Sequence, residues 1–374
     1  MATRDCNLSC RYCYLPAADN RGADPKASAQ WVDRVLTDFP SIRFVKLFGG
    51  EPLLAVDVVR EVCARIEKWR ANGRRLGISI VTNGTLLDRK AVQILSDHRI
   101  SITVSLDGSA EIHDYLRPAA RSRVPQWTRI VDGIALARTA GVAVNVEATY
   151  TREHKARGIS VLDVLSDLGR LGFEVADLNP VMPTGESSVH FRREDWDELI
   201  EDIFRAAYLS VLWRYDRSQR PPGAPALLAA AIRRLDSLRQ RAFTLHFCAW
   251  YPVSLTLDCD GLLYPCYAVE PSPQNSLGDA SLATRIIDQI RAREAVATSL
   301  VCTKQKGACS SCWNQPFCRQ CVWRLNLEGG SPAHPPDHLC RLSQAITEAV
   351  VLGCVDSSSG QAGTKQAVQE GRDD

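Results

Sequence analysis

Three cysteines near the start of the chain form the pattern best suited to chemistry. Cys6, Cys10 and Cys13 follow a CxxxCxxC spacing, which places three thiols on one short loop. Thiolates are soft ligands that favour zinc, copper(I) and iron–sulfur clusters. A structural zinc site takes four protein ligands, and this loop offers three. The loop therefore predicts an iron–sulfur cluster with one iron open to another molecule, and a zinc site with a fourth ligand nearby is the alternative.

The number and placement of the cysteines favour metal binding over disulfides. The chain has 14 cysteines, and no charged start followed by an apolar core marks a secretion signal. Disulfide frameworks belong to secreted proteins, whereas cysteine clusters inside the cell more often bind metals. Apart from the opening loop, one cysteine stands at position 63 and ten lie between 248 and 354. We therefore expect a second metal-binding region near the C-terminus.

The later cysteines fall into two groups. Paired CxxC units bind zinc readily, so zinc ribbons are the alternative to iron–sulfur clusters here. Cys63, on the apolar face of a predicted helix, and Cys354 are expected to be a buried and a tail cysteine. The two groups are Cys248-x12-Gly261-x4-Cys266 and Cys309-x2-Cys312-x5-Cys318-x2-Cys321, followed by Cys340.

The composition excludes several classes of function. The 374 residues include 45 Lys and Arg against 43 Asp and Glu, so a net charge of +2 creates no field that attracts nucleic acid or an acidic membrane. Hydrophobic residues make up 45%, and a chain of this length can bury a sizeable core in more than one domain. No apolar run is long enough to cross a membrane. We expect a cytoplasmic protein that binds neither nucleic acid nor membrane.

Short apolar runs alternate with helical patterns along the first half of the chain. Such alternation is typical of βα units, whose strands form a parallel sheet. About six units reach from the opening loop to Met182, which predicts an α/β fold with an open, partial (β/α)6 barrel. A strand before Cys6 has only residues 1–5 available, so it is a stub or the chain begins late. Strands are predicted at 42–48, 76–81, 100–106, 142–147 and 175–182, and helices at 27–38, 56–71, 88–97, 126–140, 159–171, 196–213 and 225–240.

Glycine and polar residues follow directly after these predicted strands. The C-terminal ends of parallel strands meet at one face of an α/β barrel, where such proteins keep their chemistry. We therefore place these residues and the cysteine loop around one site. They are Gly49, Gly50, Glu51 and Pro52 after the first run, Asn83 after the second, and Ser105 and Asp107 at the third.

The chain divides into four predicted regions. Residues 1–190 form the partial barrel, and 191–247 form a helical bridge. Residues 248–345 form the cysteine-rich domain. The polar, glycine-bearing stretch 355–374 is predicted to be a disordered tail.

The opening loop and its downstream motifs resemble the radical S-adenosylmethionine (SAM) superfamily. The cysteine triad followed by Tyr14, together with the Gly-Gly-Glu-Pro turn, carries this resemblance. In that family the triad holds a [4Fe–4S] cluster, whose open iron binds the amino and carboxylate groups of SAM. The resemblance implies reductive cleavage of SAM to a 5′-deoxyadenosyl radical, which abstracts hydrogen from a substrate.

The same resemblance assigns roles around SAM. The turn Gly49–Pro52 would hold the SAM amino group, because bare glycines let the backbone approach and Glu51 offers an anionic acceptor. Tyr12 would pack near the adenine. The other cofactor-side positions, each of which can also serve as a strand cap, are Asn83, Ser105 and Asp107.

The C-terminal cysteines resemble the SPASM extension of radical SAM enzymes, which binds two auxiliary [4Fe–4S] clusters. One interval departs from the family pattern, since Arg319 and Gln320 are two residues where three are usual. The resemblance implies SAM and three [4Fe–4S] clusters as cofactors. By this resemblance Cys309, Cys312, Cys318 and Cys340 hold the outer cluster, and Cys248, Cys266 and Cys321 hold the inner one. The fourth inner ligand is Cys259, slightly favoured, or Cys302; otherwise that cluster keeps an open iron.

SPASM proteins mostly modify peptides or proteins, and residues 104–118 resemble the sulfatase-maturing and peptide-modifying branch. In the sulfatase maturases an Asp that serves as base follows the Gx4C cysteine, and here that position is Tyr267. We therefore expect hydrogen abstraction from a peptide, as in ribosomal peptide maturation by cross-link formation. Formylglycine formation on a sulfatase and a small-molecule radical SAM reaction are the alternatives. Tyr267 is a candidate proton or electron relay, with a packed aromatic ring as the simpler interpretation.

The resemblance also implies partners. Reduction of the cluster needs an electron donor such as flavodoxin or ferredoxin. Many peptide-modifying relatives carry an N-terminal module that binds a leader peptide, and five residues precede Cys6 here. We expect any leader peptide to be bound by a separate protein or by another surface of this chain.

Overall fold

The structure is a computed structural model that describes most of the chain. Cys248 and Cys302, two candidate ligands from the sequence, lie outside the described residues, as does the predicted tail from 360 onward. The described ranges are 1–15, 22–122, 124–184, 188–221, 223–243, 254–269, 271–294, 296, 307–331 and 334–359.

Six parallel strands form the main sheet within these ranges. In pairing order they are β1 (Phe44–Leu47), β2 (Gly77–Thr82), β3 (Ile100–Ser105), β4 (Val144–Tyr150), β5 (Val175–Pro180) and β6 (Leu227–Leu228). Because sequence neighbours pair in parallel, their crossovers share one hand and the helices collect on one face. Such a sheet curves into an α/β barrel, and six strands leave it open. The predicted α/β class and partial barrel are confirmed.

Helices connect these strands and continue into the C-terminal region. In chain order they are α1 (Pro25–Asp38), α2 (Val56–Ala71), α3 (Arg89–Asp97), α4 (Ala110–Leu116), α5 (Trp127–Thr139), α6 (Arg152–Ala156), α7 (Val161–Arg170), α8 (Trp196–Tyr215), α9 (Ala229–Arg239), α10 (Ile286–Ala292), α11 (Val322–Leu327) and α12 (Asp337–Ser359). Side-chain caps fix several starts: Asp88 accepts a hydrogen bond of 2.8 Å from the N–H of Ala91 at the start of α3.

The two faces of the main sheet differ in polarity. Along β3, Ile100, Ile102 and Val104 are buried under the helices, whereas the alternating positions up to Ser105 are half-buried on the other face. Strand side chains alternate between faces, so the helix-covered face holds the core. The opposite, polar face lines the inside of the partial barrel and can accept a polar ligand.

The sixth strand was not predicted, because its sequence favours a helix. A helix was expected over 225–240, but Leu227 and Leu228 pair with β5 and α9 begins after them. The Leu227 N–H donates to the carbonyl of Glu174 at 2.8 Å, and the Leu228 N–H donates to Ser210 Oγ at 2.8 Å. Sheet pairing therefore overrides local propensity, and the predicted bridge at 191–247 contributes a strand to the barrel.

The first residues form a short stub beside the end of β1. The N–H of Ala2 donates to the carbonyl of Phe48 at 2.8 Å, and the N–H of Gly50 donates to the carbonyl of Thr3 at 2.9 Å. Both chains run in the same direction, as in a parallel ladder. The residues before Cys6 thus pair with the end of β1 as a short stub.

A smaller antiparallel sheet follows in the cysteine-rich region. It contains β7 (Thr256–Leu257), β8 (Leu262–Tyr264) and β9 (Gly278–Asp279). Its core residue Leu263 packs with Trp31 of α1. A Cβ at Gly261 would lie 3.1 Å from the Trp31 ring, and Gly261 has φ +90°, so the glycine of the Gx4C motif suits both the turn and the close packing.

The last helix extends into the segment that was predicted to be a disordered tail. α12 continues to Ser359, so the prediction of a disordered tail is wrong for 355–359. The helix is held along α8, where the Tyr208 hydroxyl donates to Asp356 at 2.6 Å. This packing stabilises a polar, serine-rich end that composition alone predicts to be unstructured.

Arg324 joins the C-terminal region to the barrel. From α11 it donates hydrogen bonds of 2.8 and 3.2 Å to the carbonyls of Pro180 and Val181, at the C-terminal end of β5. Its Nε also pairs with Glu328 at 2.7 Å. The arginine is buried, so this contact fixes the two regions against each other.

No helix in the described part of the chain combines the length and apolarity that a membrane crossing needs.

Candidate active site

The three-cysteine loop is held at the C-terminal ends of the strands by the segment that follows α4. The N–H of Ser9 donates to the carbonyl of Pro118 at 2.8 Å, and the N–H of Arg11 donates to that of Leu116 at 2.9 Å. Leu8 and Ala119 form an antiparallel bridge next to the first of these bonds. The loop conformation is therefore fixed by backbone pairing.

The three thiols share one environment. Burial, against the lowering effect of Arg117 and with the help of the neighbouring thiols Cys13 and Cys6, raises the pKa of Cys10 to about 12. Burial likewise raises the pKa of Cys6. Metal ligation requires thiolates, so binding at this loop would release protons. A donor set made only of thiols suits an iron–sulfur cluster.

Asn83 connects β2 to the loop. Its side-chain amide donates to Cys6 Sγ at 3.7 Å and to Asn7 Oδ1 at 2.9 Å. Its own Oδ1 accepts from the Thr85 hydroxyl at 2.7 Å. The predicted position beside the cysteine site thus agrees with the geometry, and the amide orients Cys6 directly.

Glu51 is fully buried and is engaged by the protein itself. Its carboxylate accepts from the N–H of Leu53 at 3.0 Å, the Thr82 hydroxyl at 2.8 Å and the N–H of Asn83 at 2.7 Å. Burial raises its pKa to about 7, and these three donors oppose the shift. Glu51 was predicted to accept from an ammonium, but the role visible here is to tie the end of β1 to the end of β2.

Gly49 and Gly50 are required by the N-terminal stub. A Cβ at Gly49 would overlap the carbonyl oxygen of Thr3, and one at Gly50 would overlap that of Asp5. The sequence predicts that the two glycines let a ligand approach closely. In the structure, the N-terminal stub of the chain approaches them instead. Pro52, which is buried, begins a 3-10 turn that leads into α2.

Asp107 and Tyr12, both predicted on the cofactor side, are in direct contact. The Tyr12 hydroxyl donates to Asp107 Oδ2. Arg117 donates to both carboxylate oxygens, at 2.8 and 3.0 Å, and its guanidinium lies 5.2 Å from the centre of the Tyr12 ring. Burial tends to raise the pKa of Asp107, but Arg117 outweighs it and the pKa falls to about 2. The pair stays charged and anchors the loop through Tyr12.

Two neutral histidines hold the backbone of Asp107. The N–H of Asp107 donates to His113 Nδ1 at 3.3 Å, and His154 Nε2 lies 2.9 Å from its carbonyl. Since His154 Nδ1 accepts from the N–H of Thr151, its Nε2 carries the proton and donates. Burial lowers the pKa of His113 to about 4. No sequence signal indicated His154, because its contact spans a separation that only the fold closes.

Ser105 ends β3 on the polar inner face, aligned with Glu147 of β4. Glu147 accepts a hydrogen bond of 2.9 Å from the side chain of Asn179 on β5. Burial, and then the charge of Asp177, raises the pKa of Glu147. These side chains give the inside of the barrel a polar, partly acidic wall beside the cysteine loop.

Tyr267 belongs to an exposed aromatic cluster with Tyr14 and Phe48. Its ring lies 5.5 Å from Phe48, edge to face, and 6.1 Å from Tyr14. Tyr14 follows the third loop cysteine, and Phe48 precedes the glycine turn. The cluster therefore spans from the loop to the Gx4C motif, and Tyr267 is 52% exposed.

The four cysteines assigned to an outer cluster meet in one place. Together with Asn314, Gln315, Gln320, Pro335 and Gln344, one cavity is lined by Cys309, Cys312, Cys318 and Cys340. Burial, and then the other three thiols, raises the pKa of Cys340 to about 11. The Gln344 amide donates to Cys312 Sγ at 3.9 Å. An all-thiol set of four in one cavity suits a [4Fe–4S] cluster.

The inner set is only partly visible. Cys248 and Cys302 lie outside the described residues. Cys266 follows the far end of β8 beside Tyr267, whereas Cys259 lies in the turn at the other end of the hairpin. The structure therefore does not bring Cys259 to Cys266, and packs it in the core near Arg4 instead. Cys321 precedes α11 and is exposed.

Across the described ranges, no three His, Cys, Asp or Glu side chains converge closely enough to hold a single metal ion.

Comparison with known proteins decides the family. Residues 1–153 match the model of the Radical SAM superfamily. GTP 3′,8-cyclase of Caulobacter vibrioides is 30% identical over 275 residues, which cover 71% of this chain and 73% of that protein. The chain belongs to the radical SAM superfamily. Membership in it implies two cofactors, SAM and a [4Fe–4S] cluster.

The likeness of this radical SAM protein to its relatives extends into the C-terminal region. The serine-type anaerobic sulfatase-maturating enzyme of Klebsiella aerogenes is 26% identical over 338 residues, 88% of this chain and 77% of that protein. A solved structure of native anSMEcpe with bound AdoMet (SAM) and Cp18Cys peptide matches 96% of this chain and 97% of that chain, with a TM-score of 0.77 and 18% identity. The fold is thus shared along nearly the whole chain.

Proposed function

We propose that this radical SAM enzyme abstracts hydrogen from a peptide substrate, and that its product is a cross-linked ribosomal peptide. The observation that carries the proposal is the placement of the cysteine loop beside the polar inner face of the barrel. When bound, the cluster and SAM supply a 5′-deoxyadenosyl radical. The chain's own residues hold the cluster, orient SAM and shape the substrate cavity.

In this proposal Cys6, Cys10 and Cys13 hold the SAM-binding cluster. Asn83 orients the first thiol, and the Arg117–Asp107 pair anchors the loop through Tyr12. Buried charge pairs with full hydrogen bonding give such a site a fixed geometry. The loop can therefore present its thiols in one arrangement.

The auxiliary sites complete the proposed cofactor set of three [4Fe–4S] clusters. Cys309, Cys312, Cys318 and Cys340 hold the outer cluster, which their shared cavity supports. Cys248, Cys266 and Cys321 hold the inner cluster. Its fourth ligand is Cys302 or a substrate group, since the hairpin keeps Cys259 away from Cys266.

A peptide is the substrate class that the relatives support. The likeness to a sulfatase-maturating enzyme covers 88% of this chain, and the anSMEcpe structure contains a bound peptide. The aromatic cluster and the polar wall at Glu147 and Asn179 suit the mixed apolar and amide surface of a peptide. A flavodoxin or ferredoxin would supply electrons, and a separate protein or another surface of this chain would bind any leader peptide.

Formylglycine formation on a sulfatase is the second candidate, and the same likeness favours it. Tyr267 argues against it, because a phenol stands where the maturases carry the carboxylate that serves as base. Its ring packs on Phe48 and Tyr14. A cross-linking reaction has no need of a carboxylate there.

The test begins with anaerobic reconstitution of the full chain. We expect about twelve irons per chain from three four-iron clusters, and release of 5′-deoxyadenosine from SAM with dithionite. Changing Cys6, Cys10 and Cys13 together to Ala should abolish this release and keep the auxiliary iron. Cys354→Ala, in α12, is the matched control and should change neither. Release of 5′-deoxyadenosine by the triple variant would overturn the assignment.

Mass spectrometry of a co-expressed precursor peptide then separates the two reactions. A cross-link and formylglycine made from Ser both remove two hydrogen atoms, so the mass alone does not separate them, whereas formylglycine made from Cys also replaces sulfur by oxygen. A cross-link suppresses backbone fragments between the joined residues, whereas formylglycine is an aldehyde that a hydrazide probe captures. Hydrazide-reactive product from a sulfatase peptide would replace the cross-linking proposal with formylglycine formation.

A further inference from the structure

Arg234 is a buried cation whose hydrogen-bond partners are neutral. It lies on α9 and is 8% exposed. Its Nη1 donates to Asn314 Oδ1 at 3.2 Å and also to the hydroxyl of Thr347. Among the described residues it has no carboxylate partner. A buried charge without a counter-charge is costly, so some other group must compensate it.

The neighbour that can compensate Arg234 is the outer four-cysteine site. Asn314 stands between Cys312 and Cys318 and lines the same cavity as the four thiols. Its backbone carbonyl accepts the N–H of Cys318 at 2.9 Å, while its side chain accepts from Arg234. One residue therefore links the guanidinium to the segment that carries two of the thiols.

The amide of Asn314 and the hydroxyls of Ser343 and Thr347 fix this arrangement. Asn314 Nδ2 donates to Ser343 Oγ at 3.0 Å, and the Thr347 hydroxyl donates to Asn314 Oδ1 at 2.7 Å. Asn314 and Thr347 are each 1% exposed. The guanidinium is thus held by a buried network that water does not reach, where its charge is weakly screened.

The charges around Arg234 agree with this placement. Burial lowers its pKa to about 10, the charge of Cys318 raises it, and the positive charge of Arg319 lowers it again. Arg319 is exposed, so solvent screens it. Of the side chains that act on Arg234, Cys318 is the one whose charge, in its thiolate form, is of opposite sign.

We propose that Arg234 is the counter-charge of the outer cluster site and raises the reduction potential of the cluster bound there. The inference rests on the proposed function, since it requires that cluster. A [4Fe–4S] core with four thiolates is an anion, and one-electron reduction makes it more negative. A fixed positive charge in a buried setting stabilises the reduced form more than the oxidised form.

The opening loop provides an internal contrast. Arg117 also lies near cysteines, but its charge is neutralised by two hydrogen bonds to Asp107. Arg234 has no such carboxylate among the described residues, so its field acts on the outer thiols undiminished. The two cysteine sites therefore differ in the electrostatics that the chain supplies.

The test is an EPR-monitored redox titration of the full chain with dithionite as reductant. The background carries Ala at positions 6, 10, 13, 266 and 321, which leaves the outer set as the complete ligand set among the described residues. In this background Arg234→Gln should lower the equilibrium constant for one-electron reduction of the cluster at least tenfold. This corresponds to a fall of about 59 mV in the reduction potential. Arg234→Lys keeps the charge, so its equilibrium constant for reduction should stay within about threefold of that of its parent.

A packing control separates charge from structure. Thr347→Val removes a hydrogen bond to the guanidinium and leaves its charge. The equilibrium constant for reduction should therefore stay within about threefold of that of the parent. A shift in this variant as large as that of Arg234→Gln would assign the effect to packing and overturn the inference. An unchanged potential in Arg234→Gln with full iron content would overturn it as well.

Iron content decides the remaining outcomes. If the parent background holds no cluster, the proposed auxiliary site is wrong and the failure does not concern Arg234. If Arg234→Gln loses its iron while Arg234→Lys retains it, the positive charge is what the site requires, and the inference stands. Loss of iron from both variants would overturn the inference, because it would show that the site requires the shape of the arginine side chain and not its positive charge.

Discussion

The guanidinium of Arg117 holds both carboxylate oxygens of Asp107, at 2.8 and 3.0 Å, and the same carboxylate accepts from the hydroxyl of Tyr12. Asp107 follows β3, whereas Tyr12 lies between two cysteines of the loop. The ion pair therefore connects the barrel to the cluster-binding loop in one step. Two consequences can be measured, one in stability and one in its dependence on pH.

Asp107→Asn removes the charge and leaves Arg117 buried without it. Breaking one member of a buried pair costs roughly 3–5 kcal/mol. We expect the free energy of unfolding, measured with urea, to fall by about that amount. Asp57→Asn, at an exposed carboxylate (75% of the side chain), is the control and should change little. Equal stability of the two variants would show that the pair does not anchor the fold.

The pH dependence of this pair has a defined sign. The folded pKa of Asp107 is lowered to about 2 from an ordinary value of 3.8, because Arg117 outweighs burial. The stabilisation is thus present above about pH 4 and is lost as the pH falls towards about 2. Urea unfolding of the wild type should show this acid loss, and Asp107→Asn should show less of it. The same acid loss in both proteins would contradict the assignment.

Glu51 should produce the opposite trend at higher pH. Burial raises its folded pKa to about 7 from 4.5, so the folded state holds the proton more tightly than the unfolded chain. Stability is then greatest below about pH 4.5 and falls by roughly 3 kcal/mol as the pH rises through about 7. Glu51→Gln cannot ionise, so its unfolding free energy should not show this fall.

The Glu51 variant also has a fixed cost. One of its oxygens becomes an NH2 group that faces a donor, which should lower stability by about 1–3 kcal/mol at low pH. Glu111→Gln, at an exposed side chain (83%), should keep the wild-type pH profile. An identical pH profile in Glu51→Gln and the wild type would place the responsible group elsewhere.

Arg324→Gln should uncouple the cysteine-rich region from the barrel. The variant loses the bonds to the carbonyls of Pro180 and Val181 and the ion pair with Glu328, which keeps His338 as a partner. We expect a loss of about 3–5 kcal/mol and a broader thermal transition. Arg341→Gln, a half-exposed arginine of α12, is the control. A single sharp transition at the wild-type temperature would show that Arg324 does not join the two regions.

The sequence was sufficient wherever the determining signal is local. Strand alternation and glycine turns repeat along the first half of the chain, so the α/β class and the partial barrel followed from them. Cys309, Cys312 and Cys318 lie in one short segment, so their spacing already brings them close, and Cys340 of α12 completes the lining of their cavity. Asp107 was placed on the cofactor side because it follows a strand directly.

Long-range contacts were the ones that sequence reasoning missed. His154 contacts the carbonyl of Asp107 across the fold, and no residue spacing in the sequence indicates such a contact. The sequence of β6 predicts a helix, because Leu227 and Leu228 precede an alanine run, and only pairing with β5 makes them a strand. Arg234 stood out in no motif, and its importance comes from neighbours far along the chain.

The glycine turn gives the last prediction. Gly50→Ala places a Cβ on the carbonyl oxygen of Asp5, so the stub must move away from the end of β1. Because Cys6 follows directly, we expect less iron at the opening loop and at least tenfold slower release of 5′-deoxyadenosine, with the auxiliary iron retained.

Gly22→Ala is the matched control for Gly50→Ala. Gly22 forms a bridge with Thr3 of the same stub, yet a Cβ there meets no atom within 4 Å. Iron content and SAM cleavage should therefore match the wild type in this variant. If Gly50→Ala also matches the wild type in both measurements, the glycines are not needed for the stub. Their function would then be the one predicted from the sequence, close approach of SAM, and a KM for SAM raised without loss of iron would identify it.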